Sequence, residues 1–159
     1  MFGTFFRAVV VALIVVAIVG YIGLFIMAGV AGTHDVVPIP VPSTSYLSVM
    51  MGDYKDAYRA PLEYNTYRNV DHLAENAFKN KGKEIFRDDD EIVFEGYHFG
   101  IRYFNDYLLD RSTSPHTLSM VTVVRIHEKR GKYLWKFFKP IHRRLAPYLV
   151  DRMAQAAPD

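Results

Sequence analysis

The residues best suited to chemistry are histidines, an acidic triplet and a pair of glutamates. His98, His116, His127 and His142 offer imidazoles that could bind a metal or carry a proton. No two of them stand in an H-E-x-x-H or i,i+4 arrangement, and the chain has no cysteine, so no metal site is expected. Asp88, Asp89 and Asp90 suggest calcium, but a calcium loop spaces its ligands at alternate positions around a glycine. The triplet reads instead as a solvated turn. Glu91 and Glu95 share one face of a strand and are more readily solvated than paired for hydrolysis. His142 and Arg143 follow Pro140, which interrupts a helix. His142 then serves either as a proton carrier or ligand anchor, or as a partner for carbonyls that the proline leaves unpaired. The second role is favoured.

No nucleophile elbow is present, and no G-x-G-x-x-G follows a strand. No catalytic residues, cofactor or metal are therefore expected, and the chain does not read as an enzyme. Its 159 residues are 50% hydrophobic, 14% aromatic and free of cysteine, which excludes a disordered chain or a disulfide scaffold. A net charge of +2 gives no nucleic-acid footprint.

The elements that would carry these residues are unevenly built. Ala8 to Ala31 contains no charged side chain. At about 1.5 Å per residue such a run is long enough to cross a bilayer, and too long for the hydrophobic part of a signal peptide. Residues 1–32 are thus expected to form a single transmembrane anchor. Arg7 before the run, and the lack of Lys or Arg after it until Lys55, put the amino terminus inside. Ala8, Ala12, Gly20, Gly23, Ala28 and Gly32 are small residues that would let a second helix pack closely in lipid.

Residues 33–51 carry Pro38, Pro40 and Pro42 between aliphatic residues and read as a stiff, extended spacer. Residues 52–159 read as one α+β domain in the order β-α-β-β-β-α. Asp53 to Leu62 ends in an alternating stretch that reads as a short edge strand because of Pro61, and Val70 to Asn80 is a helix capped by Asn69. Strands follow over 91–99 and 101–110. The run from Thr117 to Glu128 shows the plainest alternation, with Leu118, Met120, Thr122, Val124 and Ile126 on one face. Lys132 to Gln155 has helical spacing broken by Pro140 and Pro147, so a kinked helix or two pieces are expected. Its outer face is basic, with Lys132, Lys136, Lys139, Arg143 and Arg144.

The segments DYKDAYRAPL and TVVRIHEKRGKYLWKFFKPIHRRLAPYLVDRM together carry a resemblance. Asp53, Tyr54, Asp56, Ala57, Val123 to Arg125, Gly131, Tyr133 and the run from Lys139 through Pro140, Ile141 and His142 to Arg143 resemble a domain family of unknown function. That family has Phe where Ile141 stands here. It is often fused behind short-chain-dehydrogenase-like modules and is placed in the START-like, helix-grip superfamily. The resemblance covers residues 50–155. It implies an antiparallel sheet wrapped on a long carboxy-terminal helix, enclosing an apolar cavity in many members. The stretch between Asn80 and Glu91 is shorter than the family pattern, which leaves less room for a cavity.

The expected fold class is therefore α+β: a single N-terminal transmembrane helix, then a small START-like antiparallel sheet packed on a long C-terminal helix. The expected function is a non-catalytic, membrane-anchored accessory subunit that docks on and stabilises a larger membrane protein complex. Its partners would be that integral membrane complex, the lipid bilayer and anionic lipid, with no nucleic acid. It would sit in the inner membrane with the domain outside the cytoplasm. The alternative is a membrane-tethered binding module for a lipid, quinone or other apolar ligand. The surplus of Tyr and Phe favours an interface.

Overall fold

The computed structural model describes residues 35–62 and 82–155, together with Gly20 and Gly23. Six strands form one antiparallel sheet: β1 (Val37–Pro38), β2 (Tyr54–Pro61), β3 (Lys83–Arg87), β4 (Glu91–His98), β5 (Ile101–Asp110) and β6 (Thr117–Ile126). They lie in the order β1-β2-β6-β5-β4-β3. One helix, α1 (Lys129–Gln155), follows.

Side chains alternate across a strand, so each strand feeds two faces. On the first face Leu118, Met120, Tyr107, Ile92 and Ala60 pack against Ala146, Val150, Met153 and Ala154 of α1. Nearer the start of α1, Tyr54, Val124 and Ile101 pack against Leu134 and Trp135. On the second face Ala57, Val93, Phe104, Val121 and Val123 surround Leu47, which is 0% exposed. Covering both faces explains why β6, the plainest strand of the sequence, is buried at seven of its ten positions.

The second cover corrects the spacer expected over 33–51. Val37 and Pro38 pair with Arg59 and Tyr58, and the Ile39 amide donates to the Ala57 carbonyl at 3.0 Å. The segment from Ile39 to Met50 then lies across the sheet as a strap, with Ile39, Val41, Leu47 and Met50 in its core. The prolines did keep the segment extended, but its aliphatic residues found apolar sheet to bury against. The chain divides after Gly32, and the described residues of this segment, 35–51, belong with the domain.

The expected fold class is also corrected. What is described is one antiparallel six-stranded sheet and one carboxy-terminal helix, and among the described residues no helix is long and apolar enough to cross a membrane. The long helix that is described, α1, carries lysines and arginines along its exposed side, which a bilayer core would not tolerate. The run Ala8–Ala31, including Ala8, Ala12 and Ala28, and Gly32 after it, lie outside the described residues. Gly20 and Gly23 are helical, with nothing within 4 Å of where a Cβ would stand. The helix expected over Val70–Asn80 likewise lies outside them. A sheet followed by a C-terminal helix is the coarse arrangement of a helix-grip fold. The helix α1 is continuous through Pro140 and Pro147 instead of dividing. Burial of Ile141, Ala146 and Val150 on either side of the prolines outweighs the lost backbone bonds.

Candidate functional site

The motif residues of β2 and α1 come together at the helix–sheet boundary. Strand parity turns Tyr54, Asp56 and Tyr58 toward α1. Helical spacing turns Trp135, Lys139, His142 and Arg143 toward the strand. The Tyr54 hydroxyl donates to Asp56 Oδ2 at 2.5 Å, and His142 Nε2 lies 3.3 Å from Asp56 Oδ1. The Tyr54 ring meets Trp135 and His142 edge-on at 5.1 and 5.8 Å. The Lys139 ammonium sits over that ring at 5.0 Å, a cation–π contact. Arg143 stands near the same hydroxyl, and its charge acts on it. Asp53 closes the start of the strand, its Oδ2 accepting from the Ile126 amide at 2.7 Å.

Electrostatics fix the protonation of this cluster. Burial, and then the hydrogen bond to Asp56, push the Tyr54 hydroxyl well above the usual phenol range. Burial and the Asp56 charge push Tyr58 up to about 12. Both tyrosines therefore stay protonated, and Tyr54 donates to Asp56. Neither serves as a base or nucleophile near neutral pH. Each oxygen of Asp56 has a partner, Tyr54 on one and His142 on the other. The arrangement ties α1 to β2, and it does not assemble nucleophile, base and oxyanion donors. His142 thus finds Asp56 as its partner, not the carbonyls freed by Pro140.

A second polar cluster lies on the strap side, and the sequence did not suggest it. Asp106, Glu91 and Ser45 are all buried, with Asp106 0% exposed. The Ser45 hydroxyl donates a short hydrogen bond to Asp106 Oδ2 and accepts from the Leu47 amide at 3.1 Å. The Tyr46 amide donates to Glu91 Oε1 at 2.5 Å. Were both acids ionised, Asp106 Oδ1 would face no donor. Burial, and then the neighbouring Glu91 carboxylate, push Asp106 up to about 9, so Asp106 keeps its proton near neutral pH. The strap is latched to β5 through Ser45 and Asp106, and to β4 through the Tyr46 amide and Glu91. The available sign was a carboxylate at the same strand parity as Phe104, in the middle of a strand.

The other candidates are dispersed. Glu95 shares the Glu91 face as expected, but pairs with Arg102 at 2.5 Å, a bond that holds its carboxyl below the usual range. Asp88 closes a turn by accepting from the Asp90 and Glu91 amides at 2.9 and 2.7 Å, and Asp90 pairs with Arg111. His98 stacks on Tyr103 while His127 lies near Tyr97. Among the described residues no three His, Cys, Asp or Glu converge on a metal position. The basic helix face splits: Lys132, Lys136, Arg143 and Arg144 are exposed, while Lys139 turns onto Tyr54. An open cleft of about 460 Å³ lies on the strap side between Arg59, Asp110 and Arg111, away from the sheet–helix interface. Leucine, tyrosine, valine and methionine side chains pack that interface.

The chain matches no protein-family model, no curated protein and no solved structure.

Proposed function

We propose that the domain is a non-catalytic accessory module that docks on a larger assembly at a membrane. The observation that carries this reading is an apolar strip on the solvent side of α1. Tyr133, Phe137 and Phe138 are exposed there, Tyr133 at 77%, with the two phenylalanine rings edge-on at 5.8 Å. Tyr133 and Phe137 stand one helical turn apart, so they present one surface to a partner. Exposed aromatics of this kind anchor protein interfaces. Lys132 and Lys136 border the strip, which suits an acidic rim on the partner. Both buried polar clusters are spent on closing the fold, which supports docking over catalysis. Composition alone supports a membrane setting, through the uncharged run of the sequence.

The test is native purification of the full chain from membranes, with co-purifying proteins identified by mass spectrometry. A defined partner set should be retained by the wild-type chain and lost by the Tyr133→Ala/Phe137→Ala double variant. A wild-type chain that purifies alone as a monomer would sink the reading. The alternative, a binding module for a lipid, quinone or other apolar ligand, calls for an enclosed space under α1. The packed side chains at that interface weigh against it.

A further inference from the structure

The end of the sheet that holds the β4–β5 turn breaks two local rules at once. β4 and β5 are joined by two residues, Phe99 and Gly100, with His98 paired to Ile101. Both have positive φ, 51° and 78°, as a type I′ turn requires. Gly adopts this conformation freely. A bulky aromatic does so at a cost, and Asn, Asp or Gly is the usual choice. Phe99 is nevertheless 69% exposed, so packing does not repay the cost.

The second broken rule lies beside it. α1 has no acidic residue in its first turn. It begins instead with Lys129, Arg130 and Lys132, although cations disfavour the positive end of a helix dipole. Gly131 brings this helix start onto the turn, since a Cβ there would meet the Gly100 carbonyl oxygen at 2.8 Å. Sheet register adds more residues to the same end. Ile101 pairs with Ile126 and Tyr54 with Val124, so Arg125 and the strap end at Met51 lie there too. Arg125 Nε donates to the Met51 carbonyl at 2.7 Å, and the Met51 side chain is 84% exposed. Two acids are present and both are engaged. Glu128 takes Arg130 at 2.5 Å and the Tyr97 hydroxyl at 3.0 Å, and Asp53 takes the Ile126 amide. Among the described residues Lys129 and Lys132 have no carboxylate partner.

We infer that this end of the domain, tipped by Phe99 and Met51 and ringed by Lys129, Arg130 and Lys132, inserts into the headgroup region of an anionic bilayer. Choices that break local rules without a structural gain mark functional surfaces. A two-residue tip offers little of the ~800 Å² per partner that a stable protein interface uses. Shallow insertion needs only a few apolar side chains with cations close behind them. The inference rests on different apolar residues from the α1 strip, Phe99 and Met51 against Tyr133 and Phe137, and shares only Lys132 with it, so either can fail alone.

The natural absence of cysteine makes the test direct. The full chain is labelled with an environment-sensitive fluorophore at F99C, or at S112C in the β5–β6 loop at the far end of the sheet. Each is reconstituted in vesicles of phosphatidylcholine alone or mixed with phosphatidylglycerol. The label at position 99 should brighten by roughly threefold in the anionic vesicles and be quenched by lipid-borne spin labels. The label at position 112 should do neither. Adding Lys129→Glu and Lys132→Glu should abolish the response at position 99. Acids suit a helix start, so this pair should keep the fold intact. A label at position 99 that stays in water in both vesicles overturns the inference, as does equal quenching at both positions. Shielding at position 99 only after native membrane proteins are added also overturns it, in favour of a protein partner.

Discussion

The Asp56 carboxylate accepts the Tyr54 hydroxyl on its own strand and faces His142 Nε2 on α1, 3.3 Å away and 86 residues along the chain. One side chain thus joins the first long strand to the last helix. Both partners are mostly buried, with 15% and 20% of their side-chain surfaces exposed. Asp56→Ala should lower unfolding free energy by about 1–3 kcal/mol, because it leaves the Tyr54 hydroxyl without its acceptor. His142→Ala should cost less in the Asp56→Ala background than alone. Urea denaturation of the four proteins measures that coupling.

The protonated latch beneath the strap makes stability depend on pH. The folded-state pKa of Asp106 is raised from 3.8 to about 9, so the folded chain binds more protons than the unfolded chain across that window. The contribution of this group is therefore greatest below about pH 4 and falls as pH rises toward 9. Asp106→Asn reproduces the protonated shape. It should stabilise the fold at pH 8 by on the order of a few kcal/mol, with little gain at pH 4. Thermal melts at the two pH values check the sign, and a larger gain at pH 4 would refute it.

Phe99 holds its turn at a cost, so replacing it should help the fold. Phe99→Asn should raise stability by about 1 kcal/mol, since Asn-Gly suits two positive φ values. A loss of stability on this change would show that the Phe99 ring packs usefully in the folded chain.

Gly131 gives the opposite of an ordinary helix result. Glycine to alanine inside a helix usually gains about 1 kcal/mol. Here the new Cβ would meet backbone atoms of Gly100 at 2.8 and 3.0 Å. Gly131→Ala should therefore destabilise by about 1–2 kcal/mol as the helix start is pushed off the turn. A calorimetric melt decides between the two signs.

The legible parts of this fold were those governed by alternation and helical spacing. The β6 face with Leu118, Met120, Thr122, Val124 and Ile126 is as its parity implied, and α1 occupies the expected stretch. The motif residues Tyr54, Asp56 and His142, grouped by the resemblance alone, do meet, and no pattern in the sequence placed them in contact. The strap was misread because proline content gives backbone shape and is silent on which apolar surface Leu47 will find. β3 was missed because it is half charged, with Lys83, Glu84 and Arg87, so it shows no buried face. The Asp106–Glu91 pair was missed because a buried proton follows from burial, which no local pattern records. The exposed Phe99 went unread because its meaning comes from a dihedral angle.

The two rims of the sheet bear on how this domain can associate. β1 is two residues long and ends in proline, while β3 is charged and its register slips between Glu84 and Phe86. A rim that short, or that irregular and charged, is a poor template for another strand. Among the described residues, neither rim offers a regular row of backbone donors and acceptors to a second copy of the domain. Contacts with other molecules are left to side chains, where a single substitution can adjust them without disturbing the sheet.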